Sequence, residues 1–104
     1  MSIVHVIVTG GFDPIHSGHL AYFESAKSLG EKLWVGLNSD DWLHRKKGQF
    51  FMTLEERKNI ISKFSMVDYA FSFGDDDNSA NEAIEYVLSN TDPKDKIIFA
   101  NGGD

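Results

Sequence analysis

The segment Thr9–His19, TGGFDPIHSGH, concentrates residue types that handle phosphate. His16 and His19 stand at i and i+3, a spacing that brings two side chains to one turn of a helix. The segment leaves the apolar run Ile3–Val8 and enters a helical pattern at about Gly18, so both histidines fall around a helix start. A helix N-terminus offers unpaired backbone N–H groups and about half a positive charge. It is a ready site for phosphate, and two imidazole donors added there suit a polyphosphate. Gly10 and Gly11 let the backbone approach a ligand, and Gly18 keeps the space between the histidines clear of a side chain. The segment contains neither GxGxxG nor GxxxxGK, so it is neither the dinucleotide fingerprint nor a Walker A loop.

The surrounding chain predicts the elements that must position this segment. Ile3–Val8 (IVHVIV) is β-branched and almost continuously apolar, the pattern of a strand buried on both faces. Leu20, Tyr22, Phe23, Ala26 and Leu29 give a one-sided helix ending near Gly30. Lys32–Leu37 reads as a second strand, and Asn38–Gln49 as a polar stretch with a basic part at His44–Lys47. Thr53-Leu54-Glu55-Glu56 is a capping box opening a helix to Phe64. Val67–Phe73 reads as a third strand. A second capping box at Ser79–Glu82 opens a helix to Ser89, and Lys96–Ala100 is a fourth strand. The order β-α-β-α-β-α-β predicts an α/β fold: a Rossmann-like three-layer α/β/α sandwich on a parallel sheet with right-handed crossovers. Ligands bind such sheets at the carboxyl ends of the strands. Those ends carry TGGFDPIHSGH, NSD, FGDDD and NGGD.

The motif resembles the signature of the HxGH-type nucleotidyltransferases, the cytidylyltransferase-like superfamily, whose pattern is G-[TSC]-F-D-x-x-H-x-G-H between a strand and a helix. Gly10, Phe12, Asp13, His16, Gly18 and His19 match it. Val35–Asp41, Lys46–Gly48, Thr53–Arg57, Val67–Tyr69 and Asn101–Asp104 extend the similarity over essentially the whole chain. Within the superfamily the chain is most similar to the glycerol-3-phosphate cytidylyltransferase and heptose-phosphate adenylyltransferase group. The resemblance implies transfer of CMP or AMP from CTP or ATP to a small phosphorylated acceptor, with release of pyrophosphate. It implies that His16 and His19 contact the triphosphate and that Lys46, with Lys47 as the alternative, reaches the phosphates from a mobile loop. Arg57 would orient the acceptor phosphate or brace that loop. Asp13 would hold the turn or a histidine. Gly10, Gly11, Phe12, Gly18 and the segment Asn101, Gly102, Gly103, Asp104 would line the nucleotide site. Mg²⁺ would arrive with the triphosphate, no residue being assigned as a metal ligand of the protein, and a homodimer is common in the group. Two departures stand out. Gly11 occupies a position that is Thr, Ser or Cys in the pattern, removing a hydroxyl or thiol. The family's further strand and helix, with an ISTT-like stretch, has no counterpart before Asp104. The alternative reading is an inactive or truncated nucleotide-binding module.

Composition bounds the remaining choices. A chain of 104 residues makes one domain. Ten Lys and Arg against 16 Asp and Glu leave a net charge of -6, which argues against a nucleic-acid partner. No apolar run reaches the ~18–20 residues of a membrane span, and Met1–Ile7 lacks the basic start of a secretory signal. The chain has no cysteine, so it has no disulfide framework, and a reducing cytoplasm fits. His5 reads as a buried, hydrogen-bonded strand residue, Trp34 as core, Trp42 as a loop anchor and His44 as exposed. Asp75–Asp77 reads as a solvated acidic turn.

Overall fold

The computed structural model describes residues 2–100. Its elements in chain order are β1 (Val4–Gly10), α1 (Ser17–Lys27), β2 (Lys32–Leu37), α2 (Asp40–Lys47), α3 (Leu54–Ser62), β3 (Tyr69–Ser72), α4 (Asn81–Ser89) and β4 (Lys96–Phe99). The four strands form one parallel sheet in the order β3-β2-β1-β4. The apolar runs become the two central strands, buried on both faces, while β3 and β4 lie at the edges and are partly exposed.

The crossovers place helices on both faces. Val6, Val8, Leu33 and Val35 pack with Phe23 and Ala26 of α1 and Ile61 of α3. On the opposite face Ile7, Trp34 and Phe71 pack with Ala83 and Val87 of α4. The chain steps from β1 through β2 to β3 in one direction and then returns to the far side of β1. Right-handed crossovers therefore put α1 and α3 on one face and α4 on the other. This is the three-layer α/β/α Rossmann-like fold.

At the amino end of the sheet, His5 is buried. Its Nδ1 accepts from Trp34 Nε1 at 3.0 Å, so Nε2 carries the proton and donates to Asp95 Oδ2 at 2.8 Å. Asp95 also accepts from Ile3 N at 3.0 Å. The Ile3 N–H and the His5 donor hold its carboxyl below the ordinary value. This network ties β4 to the central strands, at the end opposite the Thr9–His19 segment.

The sequence expectation fails at three places in this fold. Asn38–Gln49 contains a helix, α2, with Ser39 as N-cap and Gly48 as a left-handed C-cap at φ 84°. Lys46 and Lys47 therefore stand on a helix, not on a loop. The helix at Ser79–Glu82 begins only at Asn81, with Ala80 at the N-cap and no side-chain cap bond. Asp77 Oδ1 takes both the backbone N–H and the hydroxyl of Ser79, which draws Ser79 into a turn of its own. Asp75 is buried rather than solvated, for reasons that belong to the site.

Candidate active site

The carboxyl end of β1 runs straight into the motif. Strand order reverses at β1, so a crevice opens beyond its carboxyl end, where open α/β sheets bind ligands. A cleft of about 730 Å³ lies there, lined by the turn Thr9–Pro14, both motif histidines, Asn38, and Trp42, Leu43, Lys46 and Lys47 of α2.

The two histidines form a reciprocal cap on α1. His16 is the N-cap residue, and its Nδ1 accepts the Gly18 N–H at 3.0 Å. His19 Nδ1 accepts the His16 N–H at 3.1 Å. A ring nitrogen that accepts a backbone N–H carries no proton, so each neutral imidazole carries its proton at Nε2. The rings lie 4.0 Å apart between centroids and tilt by 31°. The two imidazoles thus lie together at the positive end of a helix. A Cβ at Gly18 would stand 2.8 Å from His16 Cε1, so glycine here is required for the His16 ring to fold back on the helix.

Phe12 anchors the turn. It is buried at φ 53°, a left-handed conformation unfavourable for a bulky residue. Its ring packs edge-on against His19 at 5.2 Å and Phe23 at 5.1 Å, and that burial holds the backbone there. A Cβ at Gly10 would meet the same ring at 2.9 Å. Gly10 and Gly11 therefore serve packing inside the protein. A Cβ at Gly11 would stand 2.6 Å from Leu43 Cδ2 of α2, so any side chain at that position would crowd Leu43.

Asp13 is buried, and both its oxygens accept backbone N–H groups, from Phe51 and Met52, each at 2.7 Å. It holds the turn before α3. Lys47 Nζ donates to the Asp13 carbonyl at 2.6 Å. Lys46 instead lies over the Trp42 ring, 5.5 Å from its centroid. Trp42 and Lys46 form the α2 wall of the cleft.

Arg57 is fully buried. Nε donates to the Met52 carbonyl at 3.0 Å, Nη1 to the Gly11 and Asn38 carbonyls at 2.8 Å each, and Nη2 to Asp40 Oδ1 at 2.7 Å. One planar guanidinium thus joins the ends of β1 and β2, the turn before α3, and the first turn of α2. All three guanidinium nitrogens thus donate to groups of the protein itself.

Asp75 performs the matching task from the β3 side, and no pattern in the acidic run marked it. Its carboxylate accepts from Asn38 Nδ2 at 3.0 Å, Ser39 N at 2.8 Å and Ser39 Oγ at 2.8 Å. Its carbonyl accepts from Arg45 Nη2 at 2.9 Å. Burial pushes the carboxyl up, but the Ser39 N–H, the Asn38 amide, the Ser39 hydroxyl and the Arg45 charge outweigh it and hold it below the ordinary value. Asn38 carries no motif signal of its own; its side-chain amide donates to Asp75 while the residue lines the cleft.

Asn101, Gly102, Gly103 and Asp104 lie outside the described residues. Among the described residues no group of three His, Cys, Asp or Glu side chains could hold a metal. The one carboxylate in the cleft, Asp13, has both oxygens engaged. Among the described residues, the cleft lining thus holds no set of side chains built to ligate Mg²⁺. Among the described residues no helix is long and apolar enough to cross a membrane.

Comparisons with known proteins agree with this geometry. The Cytidylyltransferase-like family profile matches residues 7–104. The protein named Bifunctional protein HldE from Haemophilus influenzae is 34% identical over 95% of this chain and 23% of its own length. Its namesakes from Helicobacter pylori and Blochmanniella floridana are 41% and 42% identical over 68% and 77% of the chain, and 16% and 17% of their own lengths. The chain therefore spans about a fifth of these relatives. The crystal structure of the lipopolysaccharide core biosynthesis protein from Thermoplasma volcanium superposes with a TM-score of 0.66 at 25% identity, covering 99% of this chain and all of that one. The superfamily and neighbouring group read from the motif both stand. With the fold, the strand–turn–helix motif and the family profile in agreement, the chain belongs to the cytidylyltransferase-like family of nucleotidyltransferases.

Proposed function

We propose that the cleft transfers CMP or AMP from CTP or ATP to a small phosphorylated acceptor. The observation that carries this reading is the reciprocal capping of His16 and His19, which gathers two imidazoles protonated at Nε2 at one helix start at the sheet's switch point. An acceptor phosphate oxygen attacks the α-phosphorus in line. The new P–O bond forms as the bond to the β-phosphate oxygen breaks, and pyrophosphate leaves with that electron pair. The protein supplies no nucleophile. It aligns two anions and stabilises charge on the oxygens of the pentacoordinate phosphorus. His16 and His19 donate hydrogen bonds there, and Lys46 adds a flexible positive charge from the opposite wall. Arg57, Asp13 and Asp75 fix the turn and α2 without touching substrate. Mg²⁺ would ride on the triphosphate and neutralise part of its charge, and no step here runs through it.

The Asn101–Asp104 segment would complete the nucleotide contacts, and a homodimer in the cytoplasm accords with the resembled group. The test is acceptor-dependent pyrophosphate release with each triphosphate and a panel of phosphorylated sugars and polyols. Release with one pairing supports the reading. Tight nucleotide binding without release under any pairing would favour a binding module instead.

A further inference from the structure

Gly11 is the position where this chain departs from the resembled motif, and the structure gives that departure a partner. Its φ is outside the left-handed region, so its backbone suits any residue and glycine is present for space. A Cβ there would stand 2.6 Å from Leu43 Cδ2, 3.7 Å from Leu43 Cγ and 3.5 Å from Trp42 Cζ3. Leu43 is fully exclusive of solvent and is the one buried residue of α2. Both ends of α2 are fastened by polar bonds, through Ser39 to Asp75, Asp40 to Arg57 and Lys47 to Asp13. Its middle is seated by Leu43, with Arg45 Nη2 bonded outward to the Asp75 carbonyl. Trp42 and Lys46 ride on the same helix and line the cleft.

We propose that Gly11 and Leu43 are a volume-matched pair of positioning residues that sets the distance of α2 from the β1–α1 turn, and with it the stance of Lys46 and Trp42 toward bound phosphates. The inference rests on the nucleotidyl-transfer reading for its effect on phosphates, but its packing claim stands apart from it. A side chain at position 11 displaces Leu43, because a buried leucine has little room to change rotamer. The whole α2 wall then moves outward while every phosphate donor of the motif remains in place. Trimming Leu43 restores the room.

The experiment compares Gly11→Ala, Gly11→Thr, Leu43→Ala and the doubles in the full chain. Triphosphate affinity is read by calorimetry, folding by urea titration, and the Trp42 indole N–H by ¹H–¹⁵N spectra. Gly11→Thr is expected to weaken triphosphate binding about tenfold and to shift the Trp42 indole signal. Gly11→Ala should do the same to a smaller degree, and serves if the threonine variant fails to fold. Adding Leu43→Ala to either should recover affinity and the indole position. The decisive sign is that a side chain at position 11 harms the parent but improves the Leu43→Ala protein. Additive losses, or parental affinity and indole signal in a folded Gly11→Thr protein, would overturn the proposal. If the parent binds no triphosphate, the functional reading fails, whereas coupling of the two positions in urea unfolding still decides the packing claim.

Discussion

At the scale of single residues, the site depends on where protons are held. Each histidine gives up Nδ1 to a backbone N–H and so presents Nε2–H as donor. Replacing either with alanine removes both a helix cap and a donor. Each substitution should slow pyrophosphate release by ~10²–10³-fold, as loss of one oxyanion-type donor does; unchanged steady-state rates would refute their role. The spacing of these histidines was legible in the sequence because a helix start fixes the geometry of i and i+3 residues. The partners of Arg57 were less so. The resemblance leaves it either orienting an acceptor phosphate or bracing a loop, and its three carbonyl partners come from backbone that only the fold brings together. Arg57→Met should cost about 3 kcal/mol of stability, since it leaves buried carbonyls without donors. Urea unfolding checks this, and a loss below about 1 kcal/mol would show that water replaces the guanidinium.

At the scale of elements, α2 is the lesson. Its caps and charges follow the rules: Ser39 at the N-cap, Asp40 and Asp41 in the first turn, His44–Lys47 in the last, Gly48 beyond. It escaped a reading by apolar periodicity because only Leu43 is buried. A helix held mainly by polar anchors shows no stripe. The anchor at its N-terminus, Asp75, looked like part of a solvated acidic run because its donors lie on Asn38 and Ser39, far away in sequence. Its carboxyl is held below the ordinary value of 3.8. The stabilisation is therefore complete above that pH and is lost as pH falls through the lowered native value. Asp75→Asn should cost about 2 kcal/mol near neutrality, because an amide turns one acceptor into a donor facing donors. It should also flatten the acid limb of a stability–pH curve. An unchanged acid limb would mean that other carboxylates carry it.

At the scale of the whole molecule, the parallel sheet was legible because β1 and β2 are buried on both faces and read as continuous apolar runs. The strand order was not, because pairing of β4 with β1 leaves no local mark. That order matters most for function. It puts the reversal point beside β1 and gathers the motif, Asn38 and α2 around one cleft. Three carboxylates bind the layers at separate points. Asp95 joins β4 to β1 through His5, Asp75 joins the chain after β3 to α2, and Asp68 accepts from Lys27 and from Leu33 N, both at 2.7 Å. All three are held below the ordinary carboxylate value. For Asp68, the Lys27 and Leu33 bonds overcome the upward push of burial. Unfolding followed by circular dichroism should therefore show stability steady near neutrality and falling below about pH 4. Constant stability down to pH 2 would show that these pairings do not hold the native state.

The net charge of -6 opposes a polyanion at long range, so the proposed triphosphate binding would rest on the local donors of the motif and the α2 cations. The most direct test is acceptor-dependent pyrophosphate release, measured side by side for the parent chain and His16→Ala with CTP and with ATP. The account predicts release with one triphosphate and a phosphorylated acceptor, reduced at least ~10²-fold by the substitution. No release from the parent under any pairing, or equal release from both proteins, would contradict it.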